Sequence, residues 1–123
     1  MLRNRDKVLI VESDEFNICV ADSFLYACGY SNVVVARSCK EALERLVDGV
    51  GLILLNITSS NFSGFEVYKE LRQTKRGKTI PIIALTPKGK GIRTQCLKAG
   101  MNGVMPTPTS LNEFRSVILS SLK

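Results

Sequence analysis

The sequence predicts an α/β domain, a (βα)5 doubly wound five-stranded parallel sheet, on three observations. Short apolar, β-rich runs recur five times along the 123 residues. Each is followed by a segment with helical spacing of apolar residues, usually behind a capping residue. The runs are apolar almost without interruption, so the sheet should be covered on both faces and therefore parallel.

Val8-Leu9-Ile10-Val11 is the first strand. Ser13 or Asp14 can cap the helix that follows, and Glu15 suits its positive first turn. That helix should run to about Cys28 with Phe16, Val20, Phe24 and Ala27 on one face, and stop at Gly29. Val33 to Ala36 is the second strand. Ser38-Cys39-Lys40-Glu41 has the capping-box pattern and opens a helix carrying Ala42, Leu43, Leu46 and Val47. Leu52 to Leu55 is the third strand, ending at Asn56. Ser63-Gly64-Phe65-Glu66 repeats the box and starts a helix to about Gln73. A basic turn, Lys75 to Lys78, leads to a fourth strand at Pro81 to Leu85. Residues 89–99 read as a weaker helix stopped at Gly100, and Gly103-Val104-Met105 as a fifth strand. A third box, Ser110 to Glu113, opens a last helix with Leu111, Phe114, Val117, Ile118 and Leu122 at helical spacing.

Composition narrows the function classes. The balance of 45% hydrophobic and 23% charged residues is that of an ordinary globular domain, and the length suits one domain, residues 1–123. No apolar run is long enough for a membrane span, and the charged start lacks a signal-peptide core, so the expectation is a cytoplasmic chain away from membranes. Histidine is absent, which removes Ser-His-Asp and Cys-His catalysis and histidine-ligated metals. Cysteines 19, 28, 39 and 96 have no C-x-x-C spacing and read as reduced small hydrophobes.

Charge is divided unevenly. Residues 1–74 hold eight Lys/Arg against ten Asp/Glu, a net of −2, whereas residues 75–123 hold nine against one, a net of +8. The C-terminal part should present a positive surface that suits acidic partners, or serves only as a solvated face.

In a doubly wound sheet the site lies beyond the carboxyl ends of the strands. There the sequence places Glu12, Ser13 and Asp14, then Asn56 to Ser59, Thr86 and Pro87, and Pro106 to Pro108. Neither G-x-x-x-x-G-K-[ST] nor G-x-G-x-x-G occurs, so a nucleotide site has no motif support.

Val8 to Asn17, Leu52 to Glu66, Ile80 to Thr86 and Lys98 to Pro108 together resemble the receiver domain of two-component response regulators, over essentially the whole chain. Ile80-Pro81-Ile82-Ile83-Ala84-Leu85-Thr86 and Lys98-Ala99-Gly100-Met101-Asn102-Gly103 are close to the family's pattern, and Gly64 fits it. The resemblance implies a flavodoxin-like strand order of 2-1-3-4-5. It also implies a site where an acidic pair and an aspartate bind Mg²⁺, and where that aspartate takes a phosphoryl group from phosphohistidine. A Thr/Ser and a Lys before a cis-proline would contact the phosphoryl oxygens.

On that pattern the acidic pair falls on Glu12 and Ser13, the acceptor on Asn56, the Thr on Thr86 and the Lys on Thr107, followed by Pro108. The aromatic residue of strand five falls on Val104. An amide is a poor nucleophile, and nothing near Asn56 can activate it. One carboxylate where the family has three should leave Mg²⁺ binding weak or absent, so no cofactor is expected. Loss of a cation aimed at a transferring group typically costs about 10²–10³ in rate. In this reading Thr86 could bond Asn56 directly, and no catalytic residue is assigned.

The leading expectation is therefore a pseudo-receiver, not an enzyme, acting by phosphorylation-independent protein–protein interaction. The surface implied by resemblance is formed by residues 88–98, 103–105 and 110–122, with Lys88, Lys90, Arg93, Lys98 and Val104 as partner-binding positions. Its partner would be a signalling protein with an acidic surface, and a homodimer through the same face is a further option. Nucleic-acid binding is disfavoured because no aromatics interleave with the basic residues. A third option is an enzyme, or a receiver phosphorylated elsewhere, at Thr58, Ser59, Ser60 or Ser63.

Overall fold

The computed structural model describes residues 2–3, 5–87 and 89–122. Five strands form one parallel sheet in the order β2-β1-β3-β4-β5. The strands are β1 (Lys7–Val11), β2 (Val33–Ala36), β3 (Val50–Asn56), β4 (Ile82–Pro87) and β5 (Gly103–Thr107). The helices are α1 (Glu15–Ala27), α2 (Cys39–Arg45), α3 (Gly64–Gln73), α4 (Lys90–Ala99) and α5 (Leu111–Ser121). The expected fold and strand order are both present.

The pleat sorts the strand side chains into two cores. Leu9, Val11, Ile53, Leu55, Ile82, Ala84 and Val104 pack on one face with Ala42, Val67, Leu71 and Cys96 of α2, α3 and α4. Val8, Ile10, Leu52, Leu54, Ile83, Leu85 and Met105 pack on the other with Ala21 and Leu25 of α1 and Phe114 and Ile118 of α5. Burial on both faces explains why the strands read as continuous apolar runs.

The capping signals work as read. Ser38, Ser63 and Ser110 accept from the backbone N–H groups of Glu41, Glu66 and Glu113. Of the two candidates for α1, Asp14 is the cap, accepting from Asn17 N at 3.1 Å. Gly100, at φ +104°, ends α4 in the left-handed region that favours glycine. Gly64 lets α3 start hard against β3: a Cβ there would lie 2.4 Å from Ile57 Cα.

Two expectations are corrected. The buried face of α1 is Ile18, Ala21 and Leu25, while Phe16 is 74% exposed and Ala27 faces solvent. This helix carries apolar residues nearly all round, so more than one stripe fits the helical period. Helix α2 ends at Arg45, leaving Leu46 and Val47 beyond it. Only Cys96 among the cysteines is fully buried; Cys28 and Cys39 are half-buried and Cys19 is exposed. All four are free thiols.

Arg72, which the sequence did not single out, ties the α3–β4 connection together. Its guanidinium donates to Gly77 O at 2.7 Å, Ile80 O at 2.6 Å and Asn102 Oδ1 at 3.0 Å. It also stacks 5.1 Å from the centroid of the Tyr68 ring.

Candidate functional site

The parallel register brings the carboxyl ends of β1 and β3 side by side. Val11 pairs with Leu55, so Glu12 and Asn56, each one residue further on, face one another. Glu12 is only 2% exposed. Asn56 Nδ2 lies 2.9 Å from Glu12 Oε1 and 2.8 Å from Oε2, donating to the carboxylate. Glu12 Oε2 also accepts from the backbone N–H of Ser13 at 2.9 Å and of Asp14 at 3.3 Å. The buried charge is thus held entirely by N–H donors, with no cation in contact among the described residues.

The other end of the Asn56 amide is fixed as well. Its Oδ1 accepts from Thr58 N at 2.9 Å, and Thr58 Oγ1 lies 3.4 Å away. A backbone N–H can only donate, so Oδ1 must face Thr58 and Nδ2 must face Glu12. Ser13 Oγ and Ser59 Oγ lie 3.1 Å apart, which closes the polar rim.

Thr86 stands apart from this network, against expectation. Asn56 pairs with Leu85 across the β3–β4 ladder, so Thr86 pleats to the opposite sheet face. Among the described residues its buried hydroxyl has no hydrogen-bond partner. It lines a small cavity of about 210 Å³ with Pro87, Gly89, Lys90, Arg93, Val104 and Pro106. Thr107 is joined to Pro108 by a cis peptide bond. Both residues lie on the wall of a larger cleft of about 730 Å³, which Glu12, Ser13, Asn56 and Thr58 also line.

This donor set does not suit Mg²⁺. A hard cation needs several oxygen ligands facing one point. Here an N–H₂ group faces the one buried carboxylate, and the Asn56 oxygen already serves Thr58. Among the described residues no group of three or more His, Cys, Asp or Glu side chains could hold a metal ion.

Lys90, Arg93 and Lys98 are exposed along α4, and none takes part in an ion pair among the described residues. Lys88 lies outside the described residues. Val104, expected as a partner-binding position, is 6% exposed and lines the small cavity. Arg76, part of the same basic segment, is taken up by Asp48 at 2.8 Å. That contact holds the Asp48 carboxyl below its usual range. No helix of the described residues is long and apolar enough to cross a membrane.

Comparison with known proteins agrees with this geometry. The pattern of the response regulator receiver domain matches residues 8–119. The transcriptional regulatory protein CpxR of Klebsiella pneumoniae is 32% identical over 119 residues, covering 96% of this chain and 50% of CpxR. The aerobic respiration control sensor protein ArcB of Escherichia coli is 35% identical over 113 residues, covering 90% of this chain and 14% of ArcB. The chain thus spans half or less of these relatives. Among solved structures, the receiver domain of sensor histidine kinase PA1611 from Pseudomonas aeruginosa, with a magnesium ion in its active-site cleft, superposes with TM-score 0.81. It is 27% identical, and the match covers 96% of this chain and 98% of that one. The chemotaxis protein CheY4 of Vibrio cholerae has the same fold, at TM-score 0.82 and 22% identity over 93% of this chain and 96% of that one. With five parallel strands in the order 2-1-3-4-5 and a family match across nearly its whole length, this chain belongs to the response regulator receiver domain family, the signal-receiving unit of two-component systems.

Proposed function

We propose that this domain is a pseudo-receiver, a signalling module that takes no phosphoryl group at Asn56 and acts through protein–protein contact. The observation that carries the reading is the hydrogen-bonded chain Glu12–Asn56–Thr58. Asn56 occupies the place where the family's acceptor aspartate belongs, at the carboxyl end of β3. Both ends of its amide are engaged, and its nitrogen lone pair is delocalised into the carbonyl, so it offers no oxygen nucleophile. Thr107 supplies no charge where a cation would steady the transferring group. Residues 1–123 form one receiver unit, alone or within a longer protein.

The contact surface is the α4–β5–α5 side. Lys90, Arg93 and Lys98 present charge there, and Leu97 and Leu119 expose apolar side chains, at 44% and 57%. A signalling protein with an acidic surface fits this side by charge.

Incubation with acetyl phosphate and Mg²⁺, followed by intact-mass and peptide mass spectrometry, tests the proposal. The expected result is no phosphoryl adduct on the peptide containing Asn56. An acid-labile adduct there would overturn it. An adduct on Thr58, Ser59, Ser60 or Ser63 would instead make the domain a receiver with a displaced phosphosite.

A further inference from the structure

The small cavity at the start of α4 combines three features. It is lined by apolar surface from Pro87, Val104 and Pro106, and at about 210 Å³ it is large enough for one aromatic ring. For scale, an apolar cavity of about 150 Å³ holds benzene. Thr86 is part of the lining, and its hydroxyl, buried behind that wall on a residue 2% exposed, has no partner among the described residues. A buried hydroxyl left unbonded is costly, and a ligand that bonds it relieves that cost.

At the mouth stand Lys90 and Arg93, one helical turn apart in the first turns of α4. Among the described residues the helix has no side-chain cap, since Gly89 holds the N-cap position, and its first turn carries no acidic residue. Uncapped N–H groups and two cations at one helix start all favour negative charge. Leu97 continues the Lys90–Arg93 stripe along the same side of α4 and is 44% exposed.

From these features we infer that the cavity is an anchor pocket for a tyrosine side chain flanked by Asp or Glu, carried by a protein partner. The ring fills the apolar space, its hydroxyl bonds Thr86 Oγ1, and the flanking carboxylates meet Lys90, Arg93 and the α4 N-terminus. This inference rests on the proposed α4–β5–α5 contact surface and adds the residue that enters it.

The test is an amide NMR titration with three capped peptides: Asp-Glu-Tyr-Glu-Asp and its analogues with Phe or Ala in place of Tyr. A fourth probe is 4-hydroxyphenylacetate. The tyrosine peptide should give saturable shifts at Thr86, Lys90 and Val104, and the alanine peptide should bind about tenfold or more weakly. The phenylalanine peptide should fall between them in the wild type and match the tyrosine peptide in Thr86→Val. Val104→Phe should fill the pocket and remove the preference for Tyr. Lys90→Glu with Arg93→Glu, both on exposed positions, should abolish peptide binding without disturbing the fold.

Equal binding of the tyrosine and alanine peptides would overturn the anchor pocket while leaving the basic contact surface standing. No shift on α4 with any acidic peptide would overturn both. Binding of 4-hydroxyphenylacetate as tight as the peptide would overturn the polypeptide source and make the pocket a site for small anionic phenols.

Discussion

Replacing Asn56 by aspartate tests the site's hydrogen-bond network through stability rather than through phosphorylation. In the structure Asn56 Nδ2 sits 2.9 and 2.8 Å from the two Glu12 oxygens, and Glu12 is buried. Asn56→Asp removes these donors and sets a second carboxylate in their place. Hydrogen bonds to a charged group are worth about 1.5–3 kcal/mol each. Two unit charges about 3 Å apart at an effective dielectric near 20 repel by about 5 kcal/mol. Rotation of the new side chain toward the open cleft relieves most of that repulsion, and water entering from the cleft replaces part of the lost donation, so the expected net loss is about 2–4 kcal/mol. With a urea m-value near 1.5 kcal/mol/M, the midpoint should fall by about 1.3–2.7 M. The assay is urea unfolding at neutral pH. Asn56→Ala, which removes the donors without adding charge, should lose less. A change below about 0.5 kcal/mol, or a more stable Asn56→Asp variant, would refute the Asn56 amide as the element that settles Glu12.

Other expected outcomes follow from the same structure. Asn56→Asp alone should remain a poor phosphoryl acceptor with acetyl phosphate and Mg²⁺, whereas adding Ser13→Asp and Thr107→Lys should raise the rate of adduct formation seen by mass spectrometry. Arg72→Ala should cost about 2–4 kcal/mol in urea unfolding, since Gly77 O and Ile80 O lose their guanidinium donor and Asn102 Oδ1 keeps only the Ile82 N–H. Alkylation with iodoacetamide should mark exposed Cys19 first and spare Cys96 until unfolding, because burial blocks access and pushes the Cys96 thiol up. The raised Cys96 value also has a pH signature. As pH rises above about 8.5, the unfolded thiol ionises before the folded one, so stability should decline, and Cys96→Ala should remove that part of the decline.

The fold was legible because local signals agree. Three Ser-x-x-Glu patterns marked helix starts that the structure confirms by Ser38, Ser63 and Ser110 hydrogen bonds, and the apolar runs gave all five strands. The buried face of α1 was not legible, because Phe16, Ile18, Val20, Ala21, Phe24 and Leu25 allow two stripes, and only packing against α5 and the sheet chooses between them. At the site, the sequence brought Glu12, Ser13 and Asn56 to one end of the sheet but assigned Asn56 the wrong partner. Choosing Glu12 over Thr86 depends on the ladder register, Val11 with Leu55 and Asn56 with Leu85, which no local pattern encodes. Arg72 escaped notice for a similar reason: its acceptors are backbone carbonyls brought to it by a turn.

The central claim is that the strand-end site has settled into one hydrogen-bonded state, without a response to metal or phosphoryl. An amide NMR titration of the wild-type domain with Mg²⁺, then with beryllofluoride as a phosphoryl mimic, tests it most directly. The Glu12, Asn56, Thr58 and Thr86 resonances should stay in place through both additions. Saturable shifts at Glu12 and Asn56 that spread to α4 and β5 would contradict it, and would show a working phosphoryl switch in this chain.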